Sequence, residues 1–197
     1  MKFKALIIIL VLVISQVVLD SCCKINTSYN IDGMYLVNLD NSGGTPKELS
    51  SYNDSIVNKN AYGIRIYLTT NVRTAQNMFN NFNFIGKTYA LACKQDYTLS
   101  NKIQSINIIT FNDFDDTHSV GAEITEYFNG LSNEYGPYIP IEDKINELNS
   151  SLSEMPEYFD IYLMNPPTQG EIFRFGVKIT LYDGYIADLT TDYITLF

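Results

Sequence analysis

Residues 172–196 read IFRFGVKITLYDGYIADLTTDYITL. Phe173, Phe175, Val177, Ile179 and Leu181 fall on alternate positions, so an extended chain turns all five to one face. Asp183-Gly184 is the residue pair of a type I′ turn, and residues 185–196 return as a second strand. A hairpin with so dense an apolar side must be covered by another layer, and the neighbouring sequence offers strands to cover it.

Ile103, Ser105, Asn107, Ile109 and Phe111 alternate with Ile106, Ile108 and Thr110, which predicts a strand buried from both sides. Tyr62, Ile64, Ile66 and Leu68 alternate with Gly63, Arg65, Tyr67 and Thr69 as a half-buried strand. Tyr29, Ile31, Gly33, Tyr35 and Val37 suggest another, as do residues 84–93, with Tyr89, Leu91 and Cys93 on one face, and residues 159–164 before Pro166-Pro167. Residues 74–82 fit a short helical turn. Ile141, Ile145, Leu148 and Leu152 have helical spacing, with Glu142 and Asp143 in the first turn, where the helix dipole favours acids. About seven strands and a minor helix predict an all-β, two-sheet, immunoglobulin-like sandwich.

Composition narrows the function. The chain has 197 residues, 13 Lys+Arg against 22 Asp+Glu, and a net charge of −9. No basic face is available to neutralise phosphates, so a nucleic-acid partner is not expected. The length suits one domain with an ordinary core.

The N-terminus carries its own message. Lys2 and Lys4 precede an apolar run over residues 5–19 that is broken only by Ser15 and Gln16. That is the build of a secretory signal, and the run is short for a helix crossing about 30 Å of hydrocarbon. Leu19-Asp20-Ser21-Cys22 resembles a bacterial lipobox, with Asp20 looser than the usual small residue. The resemblance implies a signal peptide over residues 1–21 and lipidation of Cys22. A short tether over residues 22–28 then leads to a single domain over residues 29–197. The partner at that end is the membrane, reached through the acyl chains. With Cys22 acylated, Cys23 and Cys93 remain, either as a disulfide or as two thiols. Disulfides persist in an exported compartment, which favours the bridge.

Signals for chemistry are sparse. Asp113, Asp115, Asp116 and His118 form an acidic cluster with the chain's single His, and they could offer ligands to a cation. The spacing departs from an EF-hand, and zinc would want more His or Cys. No Gly-x-Ser-x-Gly elbow or Gly-rich phosphate loop is present, so no catalytic residue and no cofactor is implied. Hydrolysis by a pair of carboxylates is the alternative to a binding or structural role. Among the 15 tyrosines, Tyr67, Tyr89, Tyr162, Tyr182 and Tyr185 are read as strand residues that pack with their hydroxyls at the rim. Tyr135 and Tyr138, in the turn before Pro140, are the expected exposed aromatic site. Asp54-Ser55-Ile56 resembles the three-residue acceptor of Bacteroidetes O-glycosylation, which would modify Ser55.

Several segments together resemble a family of uncharacterised Bacteroidetes lipoproteins of about 200 residues, a domain-of-unknown-function family. They are Cys22-Cys23-Lys24, Tyr89-Ala90-Leu91-Ala92-Cys93 and Ile106-Asn107-Ile108-Ile109-Thr110, then Asp113-Phe114, His118, Gly121, Glu126-Tyr127-Phe128 and Leu181-Tyr182-Asp183-Gly184. The resemblance implies export to the outer membrane, on either its periplasmic or its outer side, and adds weight to pairing Cys23 with Cys93. It brings no activity. The expectation is a lipid-anchored envelope protein that binds a protein or glycan partner.

Overall fold

The computed structural model describes residues 24–49, 56–76, 94–133, 136–150 and 156–197, together with Ile7. In chain order its strands are β1 (Lys24–Asp40), β2 (Lys47–Glu48), β3 (Ile56–Val57), β4 (Tyr62–Gln76), β5 (Lys94–Leu99) and β6 (Ile103–Thr110). Then come β7 (Phe128–Leu131), β8 (Tyr138–Pro140), helix α1 (Ile141–Ser150), β9 (Tyr158–Leu163), β10 (Ile172–Phe173), β11 (Phe175–Leu181), β12 (Ile186–Thr190) and β13 (Ile194–Leu196). The molecule is all-β with one α-helix among the described residues, as the alternating patterns require. Five of its strands are ribbons of two or three residues, too short to register as patterns in the sequence.

One sheet has the order β2-β1-β4-β9-β7-β8, with β5 added in parallel to β1. A three-stranded sheet, β12-β11-β6, faces it, and β10-β13-β3 form a small third sheet. Tyr62, Ile64 and Ile66 of β4 meet Phe175, Val177 and Ile179 of β11 in one apolar core. The Tyr62 and Phe175 rings lie 5.4 Å apart, and Phe128 of β7 sits 5.8 Å from Phe175. The five alternating residues from Phe173 to Leu181 are all fully buried. Their hairpin turns differently from the expected type I′. Only Gly184 has a positive φ (89°), and the Gly184 amide donates to the Leu181 carbonyl at 3.0 Å. This is a type I turn closed by a left-handed glycine, which places one more residue in the loop.

Two bulges reset the alternation. In β1, Ile31 is opposite Thr70 and Gly33 opposite Thr69, so Asp32 is an extra residue. Thr27, Tyr29 and Ile31 face inward before it, and Met34, Leu36 and Asn38 do so after it. Tyr35, expected on the Ile31 face, is therefore 52% exposed on the opposite side. In β6, Gln104 is the extra residue between Ile103 and Ser105, and Ile103 joins Ile106 and Ile108 inside. The second face of β6 is only partly covered, and Phe111 beyond it is 42% exposed, so burial from both sides does not extend along the strand.

A side-chain amide clamps each bulge. Buried Asn101 accepts from the Ile31 amide at 2.8 Å and donates to the Ile31 carbonyl at 2.7 Å. Asn149 of α1 does the same for Ile103, at 2.9 and 2.7 Å. Each amide takes the place of a missing strand partner. β1 begins at Lys24, inside the segment expected to be a tether. Thr74, Ala75 and Gln76 end β4 instead of starting a helical turn.

Replacing Asn101 with Ala leaves the Ile31 amide and carbonyl buried without partners. The Asn101→Ala protein is expected to lose about 2–4 kcal/mol of stability in urea unfolding monitored by circular dichroism.

Candidate functional site

Cys22, Cys23, Cys93 and Ser55 lie outside the described residues, as do Tyr89 and Tyr135. The acidic loop after β6 is described in full, and it closes on Asp115. The Asp115 carboxylate accepts from the Thr117 amide and hydroxyl and the His118 amide, each at 2.8 Å, and lies 2.9 Å from His118 Nδ1. Partial burial raises its carboxyl, but the bonds from Thr117 and His118 outweigh this and hold it well below the usual carboxylate range. Asp113 turns instead to the Val120 amide at 3.3 Å, and Asp116 to the Gln169 side chain at 2.6 Å. Their oxygens go to separate partners. Among the described residues no group of three or more His, Cys, Asp or Glu side chains converges to hold a metal ion. The loop is fastened by Phe114, which is fully buried with its ring 6.0 Å from that of Phe173.

A richer cluster stands on the outer face of the large sheet. Strand alternation turns Tyr62, Ile64 and Ile66 inward, so Gly63, Arg65 and Tyr67 must point outward. Register sets Arg65 opposite Asp160 of β9. The guanidinium grips that carboxylate with both prongs, Nε to Oδ1 at 2.7 Å and Nη2 to Oδ2 at 2.9 Å. Its Nη1 donates to Glu48 of β2 at 2.7 Å, and its carbon sits 3.8 Å from the centre of the Tyr158 ring. Tyr67 donates to the same Glu48 oxygen, and Tyr162 donates to Asp160 at 3.2 Å. Tyr35 stacks on Tyr67 with centroids 4.5 Å apart and planes 7° from parallel.

These contacts fix the charges. Hydrogen bonds to Asp160 and then Glu48 push the Arg65 guanidinium further above its ordinary value, against the effect of burial. The Tyr67 hydroxyl and then Arg65 hold the Glu48 carboxyl below its usual range. Burial, helped by the nearby Asp160 charge, raises the Tyr162 hydroxyl, so it stays a donor.

Beside the cluster is a cleft of about 930 Å³ whose lining includes Arg65, Tyr158, Asp160, Tyr162, Lys144 and Glu147. Helix α1 supplies the last two. Ile141, Ile145 and Leu148 seat it on the core, and the buried Lys144 stem leads its ammonium to Glu147 at 3.0 Å. Burial raises the Glu147 carboxyl, but Lys144 and Ser132 more than offset this and lower it. Two glycines give the side chains their room. A Cβ on Gly63 would come 2.8 Å from the Tyr162 ring, and one on Gly130 would come 2.6 Å from Lys144 Cγ. Tyr138, the described half of the exposed aromatic site expected before Pro140, reaches the same region. It meets Tyr162 edge-on at 5.4 Å, and its hydroxyl accepts from Asn41 at 3.2 Å. Tyr182 and Tyr185, read as strand residues, stand exposed at the hairpin turn.

The arrangement is suited to recognition. Each cation lining the cleft is already matched to a carboxylate. The carboxylates whose shifts are resolved here move down, so they stay ionised and are poor proton donors at neutral pH. The cluster offers aromatic surface, oriented hydroxyls and spare carboxylate oxygens. The sequence hinted at it only through Arg65, one charged residue at the outward position of a strand rich in apolar residues. Its partners Glu48 and Asp160 lie 17 and 95 positions away.

Because the folded-state value of Glu48 is lowered, its contribution to stability is complete above the ordinary Glu value of about 4.3 and is lost as pH falls through the folded value. Tyr67→Phe removes the largest cause of that lowering. An NMR titration of the variant is expected to show the Glu48 carboxyl moved up toward the ordinary value.

Comparison with curated proteins finds no match, and comparison with solved structures finds none either. Residues 32–192, from the bulge of β1 to the residue that receives the Asn38 side chain, match the family described as Domain of unknown function (DUF5034), and the chain belongs to that family.

Proposed function

We propose that the chain is a lipid-anchored bacterial envelope protein acting as a binding module, which presents the outer face of its large sheet to a protein or glycan partner. The observation that carries the binding role is the Arg65 cluster. Four strands contribute to it, its rings and hydroxyls are held in place, and it borders a cleft large enough for a small ligand. A carboxylate-dependent hydrolase would need an acid kept protonated near neutral pH, and the ion-paired Asp160 and Glu147 favour recognition over proton transfer.

The anchor rests on the N-terminal sequence. Residues 1–21 are the signal, Cys22 takes the lipid, and the chain joins the Bacteroidetes lipoproteins of the outer membrane. The start of β1 at Lys24 supports a domain held close to its lipid. The parallel pairing of β1 with β5 supports a Cys23–Cys93 disulfide, because Lys24 stands opposite Lys94 and each directly follows a cysteine. Adjacent strands are about 4.8 Å apart, within the Cα separation that a disulfide spans. Such a bridge would tie the anchor to the edge of the sheet.

Intact-mass analysis of the membrane-extracted protein tests these assignments together. The expected mass lacks residues 1–21, carries a thioether-linked diacylglycerol on Cys22, and rises by two hydrogens on reduction. An unmodified Cys22 behind a retained signal overturns the anchor, and an unchanged mass on reduction overturns the bridge. For binding, peptide and glycan arrays probed with the intact chain should give signals that Tyr158→Ala weakens by roughly tenfold. Blank arrays of both kinds overturn the binding role.

A further inference from the structure

Among the described residues, the large sheet has a notch beside Tyr35. β5 follows β1 only as far as Tyr29, and β2 takes up the same edge only from Leu39. Asn101 occupies the edge at Ile31, and the Leu49 amide reaches it at Asn38. The stretch between spans about 20 Å at 3.3 Å per residue, with no strand along it among the described residues. Tyr35 stands in the middle. One face of its ring lies against Tyr67, and the residue is 52% exposed, so the other face looks across the notch. Tyr67 is fixed in turn by its hydroxyl bond to Glu48.

Glu48 borders the same space and has capacity to spare. Arg65 and Tyr67 both bond to its Oε1, its side chain is 40% exposed, and no described group bonds to Oε2. The cluster of Glu48, Asp160 and Arg65 carries one net negative charge on a chain of −9. An anionic ligand is repelled here. An organic cation would want several ring faces converging on it, whereas Tyr35 and Tyr67 stand parallel and cover one another. What fits is an uncharged molecule with a flat C–H face for the ring and a hydroxyl for the carboxylate.

From this we infer that the notch beside Tyr35 is a subsite for a neutral sugar ring, which stacks on the open face of Tyr35 and donates a hydroxyl to Glu48 Oε2. The inference rests on the binding-module reading and gives it a ligand class. Because its partner is fixed, the Tyr35 ring loses little freedom when a ligand arrives. The stacking partner is the ring itself, so the Tyr35 hydroxyl is dispensable.

The test uses the full chain in detergent on an array of neutral oligosaccharides of glucose, galactose and mannose, with sialylated and sulfated counterparts and a peptide array alongside. Wild type, Tyr35→Ala, Tyr35→Phe and Tyr158→Ala are compared, with circular dichroism and melting curves to confirm that each is folded. Neutral oligosaccharides should bind, Tyr35→Ala should bind them roughly tenfold more weakly, and Tyr35→Phe should stay within about twofold of wild type. Neutral binding that is lost in Tyr158→Ala but intact in Tyr35→Ala overturns the subsite and leaves the binding module standing. Binding confined to acidic glycans or to peptides overturns the ligand class and again leaves the module standing. No binding to any array overturns both.

Discussion

Strand β1 must serve a single core over 17 residues, and its side chains can do so only if the alternation is reset partway. The extra residue Asp32 performs that reset, and Asn101 makes it tolerable. β5 ends at Tyr29, which leaves the Ile31 amide and carbonyl beside the bulge with no strand partner on that edge, and inside a protein each such group costs about 1–3 kcal/mol. One side-chain amide answers both. Its other contact, to Asp183 at 3.2 Å, links the bulge to the hairpin turn of the facing sheet. The inward face of one sheet is thereby tied to the geometry of the other. β6 repeats the device at Gln104, with Asn149 linking strand to helix.

The same bulge creates the outer face. An unbroken alternation would bury Tyr35 beside Ile31 and turn Met34 and Leu36 to solvent. With Asp32 inserted, the apolar pair goes in and Tyr35 comes out opposite Tyr67. Arg65, one alternate position along β4, then finds Asp160 on one side and Glu48 beyond β1 on the other. A folding constraint in β1 and the Arg65 cluster are two sides of one strand.

Electrostatics give the surface its character. The chain is strongly acidic, yet the cations of the site are matched where they stand, Arg65 by two carboxylates and Lys144 by one. Paired charges of this kind contribute orientation more than affinity, because desolvation offsets much of the attraction. The loop from Asp113 to His118 shows the same economy. Its acids close a turn over the Phe114 plug and leave no convergent set of oxygens for an ion. The matched family segment, residues 32–192, takes in Asp32, Asn101 and every residue of the Arg65 cluster.

Much of the fold was legible in the sequence, because burial on one face of a strand imposes a period of two. The strand over residues 62–69, the helix over residues 141–150 and the inward row from Phe173 to Leu181 could all be read directly. Asp183-Gly184 announced a hairpin, though not which turn, since that depends on the φ of Asp183 and not on its identity. The bulges were hidden. Beyond Asp32 both alternations carry apolar residues, Tyr35 and Val37 on one and Met34 and Leu36 on the other, so a period of two does not choose between them. The acidic loop could be seen as a cluster of ligand types, but where its oxygens point is settled by contacts with Thr117, Val120 and Gln169. The Arg65 cluster was the least visible of all. Sequence determined that Arg65 would face outward from β4, and only the sheet order brought β2 and β9 to its two sides, because hydrogen-bonded strands become neighbours without regard to their separation along the chain.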